Sequence, residues 1–447
     1  MPGTGPADLA IRDAHIFYRG RLLKGYICIS EGLISYIGKG AGAPGAVELL
    51  DARGLLALPG PIDAHVHLRD EGLAHKEDFY TGTCSAVAGG ITTVLDMPNT
   101  VPPVDSASRL VERARKAQRA IVANVGFYAL FPDSLEGLKG LAEAGAVGLK
   151  VYLHQPKTKL DLSDAGLLRE AVSRANELGL PVAFHAEDPG IISRLSNQVP
   201  EEVGPVEAFL RAHPPEAEVE AIRTLSDLLS GLKVHICHVS TPEGLGLAKG
   251  AGFTVEATPH HLFLDASYYG AYGPLALMDP PLRPREFVEG LRKALYSGMI
   301  DIVASDHAPH ALEEKEGPSP PPGIPGLETL LPLLLNEVSE KRLSLQGLIK
   351  LVCEGPARIF GLDRGSLDLW RPADLVLVDL KAEKVVRPAD FKSKAKYSPF
   401  KGLRLKGVPV FTIVNGHLAF AEGEVVAEPG CGSIVRPNRG PRGRDRP

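Results

Sequence analysis

The sequence predicts an α/β fold: a (β/α)8 barrel of the TIM type, with a small β-sandwich domain formed by both chain ends. Three observations carry this expectation. Short apolar runs alternate with helix-like stretches through the middle of the chain. Strand-like text with turns occupies both ends, and histidines and acids recur where the central runs finish.

Residues 1–55 read as short strands, in "DLAIRDAHIFY" and "YICISEGLISYIG", because apolar and β-branched residues alternate there. From "LLALPGPIDAHVHL" the texture changes. A strand at 58–67 is followed by runs at 91–97, 120–128, 146–153, 181–187, 233–239, 253–257 and 301–307, which makes eight. Helical patterns such as "SASRLVERARKAQ", "DLSDAGLLREAVSRANELG" and "PREFVEGLRKALYSG" separate them. Eight alternating βα units imply a closed parallel barrel, over residues 56–364. Strand text returns over 365–432, where "NGH" between two alternating runs reads as a hairpin turn. The segment "GPSPPPGIPG" is too rich in proline for a helix or central strand and reads as a stiff loop. Residues 433–447, ending "RPNRGPRGRDRP", read as a disordered tail.

The 447 residues exceed the usual ceiling for a single core, in line with a large domain plus a smaller one. A net charge of -5 gives no electrostatic footprint for nucleic acid. No apolar run approaches the length of a membrane span, and no signal peptide is visible. Cys28, Cys84, Cys237, Cys353 and Cys431 are scattered and without a CxxC pair. A cytoplasmic protein without disulfides or a cysteine-built zinc site is therefore expected.

Barrels present the C-terminal ends of their strands to the active site. That rule collects His65 and His67 from the first strand, Lys150 from the fourth, His185 from the fifth, His238 from the sixth and Asp306 from the eighth, with Asn99 after the second. If the first strand is extended, His65, His67 and Arg69 share one face. Each histidine alone reads more readily as a hydrogen-bonded strand end than as a ligand. Together they favour a divalent metal centre, for which imidazole and carboxylate suit Zn²⁺. Two such ions sharing a hydroxide would supply a nucleophile at neutral pH. Lys150 has three readings: a salt bridge, a side chain reaching solvent, or an amine converted by CO₂ to a carbamate that bridges two metals.

The motifs "DAHVHLR", "MPNT", "GLKVYL", "FHAE", "HICHVS", "PHHLFL" and "ASDHAPH" occur in register from about residue 58 to 360. In them the chain resembles the dihydroorotases, in the cyclic amidohydrolase branch of the amidohydrolase superfamily. The lysine-containing strand and "LEEKEGPSPPPGIPGLETLLPLLL" are most similar to the dihydroorotase domain of the animal multifunctional pyrimidine protein. The resemblance implies reversible cyclisation of N-carbamoyl-L-aspartate to L-dihydroorotate in pyrimidine biosynthesis. It also implies two zinc ions per chain. His65, His67 and Asp306 would bind the first, His185 and His238 the second, and carbamylated Lys150 would bridge them. Asp306 would be the catalytic acid/base. Arg69, Asn99 and His310 would hold the substrate carboxylate, with the backbone of Pro322 and Gly323 reaching the ring. Glu256 would either hold a further zinc or orient a ligand. A homo-oligomer and association with aspartate transcarbamoylase are further implications.

A planar guanidinium grips a carboxylate through two parallel hydrogen bonds, which suits Arg69 to its implied task. Hydantoinases, dihydropyrimidinases and allantoinases are the alternatives, but their substrates do not call for Arg69, Asn99 and His310 together. An inactive scaffold for the transcarbamoylase is a further alternative, although none of the implied ligands is missing. Two departures stand out. Asp279 in "LMDPPLRP" would repel a substrate carboxylate if it points inward, and the loop "HQPKTKLD" differs from the tip of the animal enzyme. His75, His154, His235, His260, His261 and Cys237 are expected to be structural or to orient other residues.

Overall fold

The computed structural model describes residues 6–439. Eight short parallel strands form the barrel: Ile62–Val66, Thr93–Asp96, Asn124–Phe127, Leu149–Tyr152, Val182–His185, Val234–Ile236, Thr254–Ala257 and Ile302–Val303. The first three pair as one sheet and the other five as another. Single parallel bridges, Ala129 with Leu149 and Val66 with His307, close the ring. The expected helices flank these strands. Ala107–Ala117 begins where Ser106 Oγ accepts from Arg109 N at 3.4 Å, and Ala165–Glu177 where Asp164 Oδ1 accepts from Leu167 N at 2.7 Å.

The strand expected at 58–67 is two strands. Leu56–Pro59 belongs to the sheet of the chain ends and Ile62–Val66 to the barrel. Gly60 and Pro61 separate them, and Pro61 has no N–H with which to continue a ladder. The chain ends build one continuous nine-stranded sheet rather than two separate ones. Ala7–Tyr18, Arg21–Ser30, Leu33–Gly38, Ala46–Asp51 and Leu56–Pro59 come from the N-terminal side, and Leu375–Val385, Arg404–Val414, His417–Ala421 and Glu424–Val425 from the C-terminal side. Ile11, Ile27 and Ile29 share a buried cluster with Leu375, Leu377 and Ile413, so the two ends are held by one sandwich core. Asn415 and Gly416 have φ of 49° and 84°, the two positive values a tight hairpin turn requires.

The tail does not become disordered at residue 433. Ile434 bridges to Val125, Val435 is buried, and Asn438 N donates to Gly361 O at 2.8 Å. Two apolar residues anchor a segment whose proline, glycine and arginine content argues for disorder. Residues 440–447 lie outside the described residues.

Candidate active site

The C-terminal rim of the barrel surrounds a cavity of about 230 Å³. It is lined by His65, His67, Arg69, Asn99, His185, His238, Asp306, His310, Pro322 and Gly323, with Tyr152, His154 and Asp279 among the others. The sequence-predicted side chains therefore meet in one place. Lys150 lies beneath them, 1% exposed.

His65 and His67 face Asp306, with Nε2 to Oδ1 distances of 3.4 and 3.3 Å. His65 Nδ1 lies 2.5 Å from Glu256 Oε1, and His67 Nδ1 lies 2.8 Å from Asn99 Oδ1. Because those oxygens accept, both Nδ1 atoms carry the proton and both Nε2 atoms present lone pairs. Burial, reinforced by Lys150 for His65 and by Arg69 and Lys150 for His67, pushes both imidazoles below their ordinary range and favours the neutral form. Two lone pairs and a carboxylate oxygen thus converge with nothing positive between them. This arrangement fits a cation.

The second group has the same logic. His185 Nε2 is 2.8 Å from Glu187 Oε2, which leaves Nδ1 facing His238 Nε2 at 3.1 Å. Burial, then His185 and Lys150, push His238 well below its ordinary pKa, and its Nδ1 has no hydrogen-bond partner. Lys150 has no carboxylate oxygen within 4.0 Å among the described residues. Its Nζ lies 2.9 Å from Cys237 Sγ and 5.1 Å from the centre of the Tyr152 ring. Neither the salt bridge nor the solvent-reaching lysine is what the structure contains.

Glu256 is fully buried. Oε1 accepts from His65 Nδ1 and from the His238 backbone N–H, the latter at 3.0 Å, while Oε2 is 3.2 Å from His235 Nε2. Burial alone would raise its pKa, but His65 and His235 outweigh that and hold the carboxyl well below its ordinary range. In this arrangement Glu256 orients His65, and His235 supports Glu256.

Arg69 reaches the cavity by a route that strand alternation does not describe. The strand ends at Val66, and Arg69, Asp70 and Glu71 follow with φ of 56°, 55° and 49°. Asp306 and His238 are also left-handed, at 46° and 34°. Such backbone persists where neighbours over-determine it. Here Arg113, wholly buried, donates from Nη2 to Arg69 O at 3.0 Å and to Asp96 Oδ2 at 2.7 Å. Leu68 N donates to Asp96 Oδ1 at 2.8 Å. The Arg113–Asp96 pair was not foreseen, because neither residue lies in a recognisable motif.

Arg69 Nε donates to Pro309 O at 3.2 Å, and Nη2 lies 3.2 Å from His310 Nε2. His310 Nδ1 lies 3.1 Å from Lys76 Nζ, and its Nε2 lies 3.0 Å from Pro322 O. Lys315, buried in "LEEKEG", holds the proline-rich loop by donating to the carbonyls of Leu277, Pro321 and Gly323 at 3.0, 3.0 and 3.1 Å. Gly323 has φ of 135°, and a Cβ there would lie 2.4 Å from Ala308 O.

Asp279 does point inward. Oδ1 is 3.6 Å from both His185 Nε2 and His213 Nδ1, and Oδ2 is 3.4 Å from His154 Nε2. His154, expected to be structural, lines the cavity. His75 pairs at the surface with Glu314, and His261 Nε2 lies 3.0 Å from Pro280 O. Glu187 and His213 were missed. Glu187 could have been found as the residue two positions beyond His185, but nothing in "RAHPPEAE" marks His213.

A barrel with histidines and an aspartate at its C-terminal rim defines a class of metal-dependent hydrolases, and residues 56–419 match the model of the amidohydrolase family. The chain belongs to that family. The dihydroorotase of Methanosarcina mazei is 35% identical, with 96% of this chain and 97% of that protein covered. The dihydroorotase of Methanothermobacter thermautotrophicus is 38% identical, over 94% and 95%. Among solved structures, the L-hydantoinase (dihydropyrimidinase) of Arthrobacter aurescens matches with a TM-score of 0.91 at 31% identity, covering 96% of this chain and all of that one. Among the described residues no helix is long and apolar enough to cross a membrane.

Proposed function

We infer that this protein is a metal-dependent dihydroorotase, a cyclic amide hydrolase that interconverts L-dihydroorotate and N-carbamoyl-L-aspartate. The observation that carries the substrate is Arg69, brought by its left-handed turn to the same cavity as the converging acceptors of His65, His67 and Asp306. The relatives named dihydroorotase support the same reading over nearly the whole chain.

His65, His67 and Asp306 would hold one zinc ion, and His185 and His238 a second. Bound there, the ions would supply Lewis acidity to the amide carbonyl and acidify a water. Lys150 acts electrostatically on His65, His67 and His238 alike. Its amine, adding to CO₂ with loss of a proton, would become a carbamate, whose oxygens would supply ligand atoms where the ammonium supplies none. That conversion would remove a buried ammonium whose only hydrogen bond among the described residues is to a thiol.

Asp306 takes the proton of the attacking water and returns it to the ring nitrogen as the C–N bond breaks. In the direction of ring closure it takes that proton back from the nitrogen. Burial raises its pKa, with His65 and Lys150 pulling the other way, so it can stay ionised yet accept a proton transiently. Arg69 grips the substrate carboxylate. Asn99, whose Oδ1 is engaged by His67, donates from Nδ2, and His310 completes the carboxylate pocket beside the guanidinium. Pro322 and Gly323 offer backbone groups to the ring. Four buried cysteine thiols and the half-buried Cys431, all unpaired, suit a reducing cytoplasm.

One observation favours a second reading. Asp279 faces the cavity, and an acid there suits an uncharged ring such as a hydantoin or dihydropyrimidine better than a carboxylate. The test is turnover by zinc-loaded protein of dihydroorotate, hydantoin and allantoin side by side. Hydrolysis of dihydroorotate supports the inference. Turnover of hydantoin or allantoin without dihydroorotate overturns it.

A further inference from the structure

The wall of the cavity beyond His185 carries a second convergence of ligand atoms. One atom each from His154, Glu187, His213 and Asp279 lies within 4.8 Å of all the others. Four elements supply them: the segment after the fourth barrel strand, the end of the fifth, the C-cap of helix Pro205–Ala212, and the loop before helix Arg285–Tyr296. Glu187 and His213 are buried, and the His154 side chain is 4% exposed.

The polar atoms of this group are poorly satisfied. Among the described residues His154 makes no hydrogen bond from either ring nitrogen, and Asp279 Oδ1 accepts none. Asp279 Oδ2 lies 3.4 Å from His154 Nε2. Buried polar atoms without partners are uncommon in folded proteins and mark a missing occupant. Glu187 Oε1 is the better connected member, 3.1 Å from His213 Nδ1. One cation already stands nearby. Arg283 Nη2 is 4.0 Å from Glu187 Oε1 without hydrogen-bonding to it, while Nε and Nη1 of the same guanidinium are committed to Ser240 Oγ and His213 O. Two carboxylates stand against one guanidinium, and against the opposing effect of burial Glu187 and Asp279 raise the His213 pKa above its ordinary value.

We propose that His154, Glu187, His213 and Asp279 form a further divalent-cation site, separate from the groups around Asp306 and His238 and open to the cavity through His154 and Asp279. Two imidazoles and two carboxylates form a donor set suited to Zn²⁺ or a similar borderline ion. The site would also resolve the oddity of Asp279: with an ion on its carboxylate, this wall no longer repels an anionic substrate. That role, unlike the site itself, rests on the carboxylate-bearing substrate proposed above.

The test is zinc content. The full chain and its Asp279→Asn and His213→Gln variants are equilibrated with excess Zn²⁺, freed of unbound ion by gel filtration, and assayed for metal per chain. Each variant is expected to hold one equivalent fewer than the parent while the rest is retained. A titration with Co²⁺ adds an independent readout: the parent has an equivalent whose visible absorption is missing in Asp279→Asn. Equal metal content in all three proteins overturns the site. Loss of all metal from both variants also overturns it, since the cluster would then only support the neighbouring centre. The difference between parent and variant tests this site, whereas the number of equivalents left in the variants, with dihydroorotate turnover, tests the reading of the main centre.

Discussion

The two halves of the rim use the same residue types, but their hydrogen bonding differs. Around Asp306, each imidazole has one nitrogen tied to a partner, His65 to Glu256 and His67 to Asn99, and the other aimed inward. Around His185, Glu187 ties one nitrogen of His185 and one of His213, while among the described residues His238 Nδ1, both nitrogens of His154 and Asp279 Oδ1 have no hydrogen-bond partner. The first half is preorganised by the protein alone. The second is left with polar atoms that an occupant must satisfy.

Substitutions should separate the halves, and the largest effect belongs to the first. Asp306→Asn would remove both a proposed ligand and the proposed proton acceptor, so kcat should fall by roughly 10²–10⁴-fold or more with little change in the melting temperature. Near-parental kcat would take Asp306 out of the chemistry. Lys150→Ala tests what joins the halves. Elemental analysis should find metal lost along with most activity, and short carboxylic acids should restore part of both. Full metal content and activity would refute the bridge.

Smaller effects follow. Glu256→Gln loosens His65 without touching the second half and should weaken metal affinity by roughly 10–100-fold, measured by chelator competition. Equal weakening by a substitution at Asn99 and none at Glu256 would reverse the assignment of what holds this half. A carboxylate remote from both halves supplies the control. Glu328 is pushed up to about 7 by burial, against hydrogen bonds from Lys392 N and Ser85. Its folded form therefore holds a proton that the unfolded chain has released between pH 4.5 and 7. Stability from this group is fully present below the unfolded value and declines as pH rises through the folded one. Glu328→Gln should accordingly melt a few degrees higher at pH 8 and unchanged near pH 4, with metal content unaltered.

The first half was legible because its histidines lie two residues apart at a strand end, and barrel geometry makes strand ends the site. The break at Gly60–Pro61 is marked in the sequence by "PGP", but the apolar residues on both sides of it read as one strand. Arg69 was found for an incomplete reason: alternation put it on the histidine face, whereas a left-handed turn braced by Arg113 and Asp96 delivers it. His213 and Asp279 lie on connecting segments, and tertiary folding alone brings them against His185. Periodicity carries no trace of such contacts, and only Asp279 drew notice, as an acid in an unexpected place.

The central claim is that Arg69 makes this cavity specific for a ring that bears a carboxylate. The most direct measurement compares kcat/KM for dihydroorotate and for dihydrouracil, the same ring without the carboxylate, in the zinc-loaded parent and in Arg69→Met. Charge-assisted hydrogen bonds contribute about 1.5–3 kcal/mol. The parent should therefore favour dihydroorotate strongly, and Arg69→Met should raise its KM by roughly 10–100-fold while leaving metal content intact. Equal turnover of the two rings by the parent, or an unchanged preference in the variant, would contradict the account.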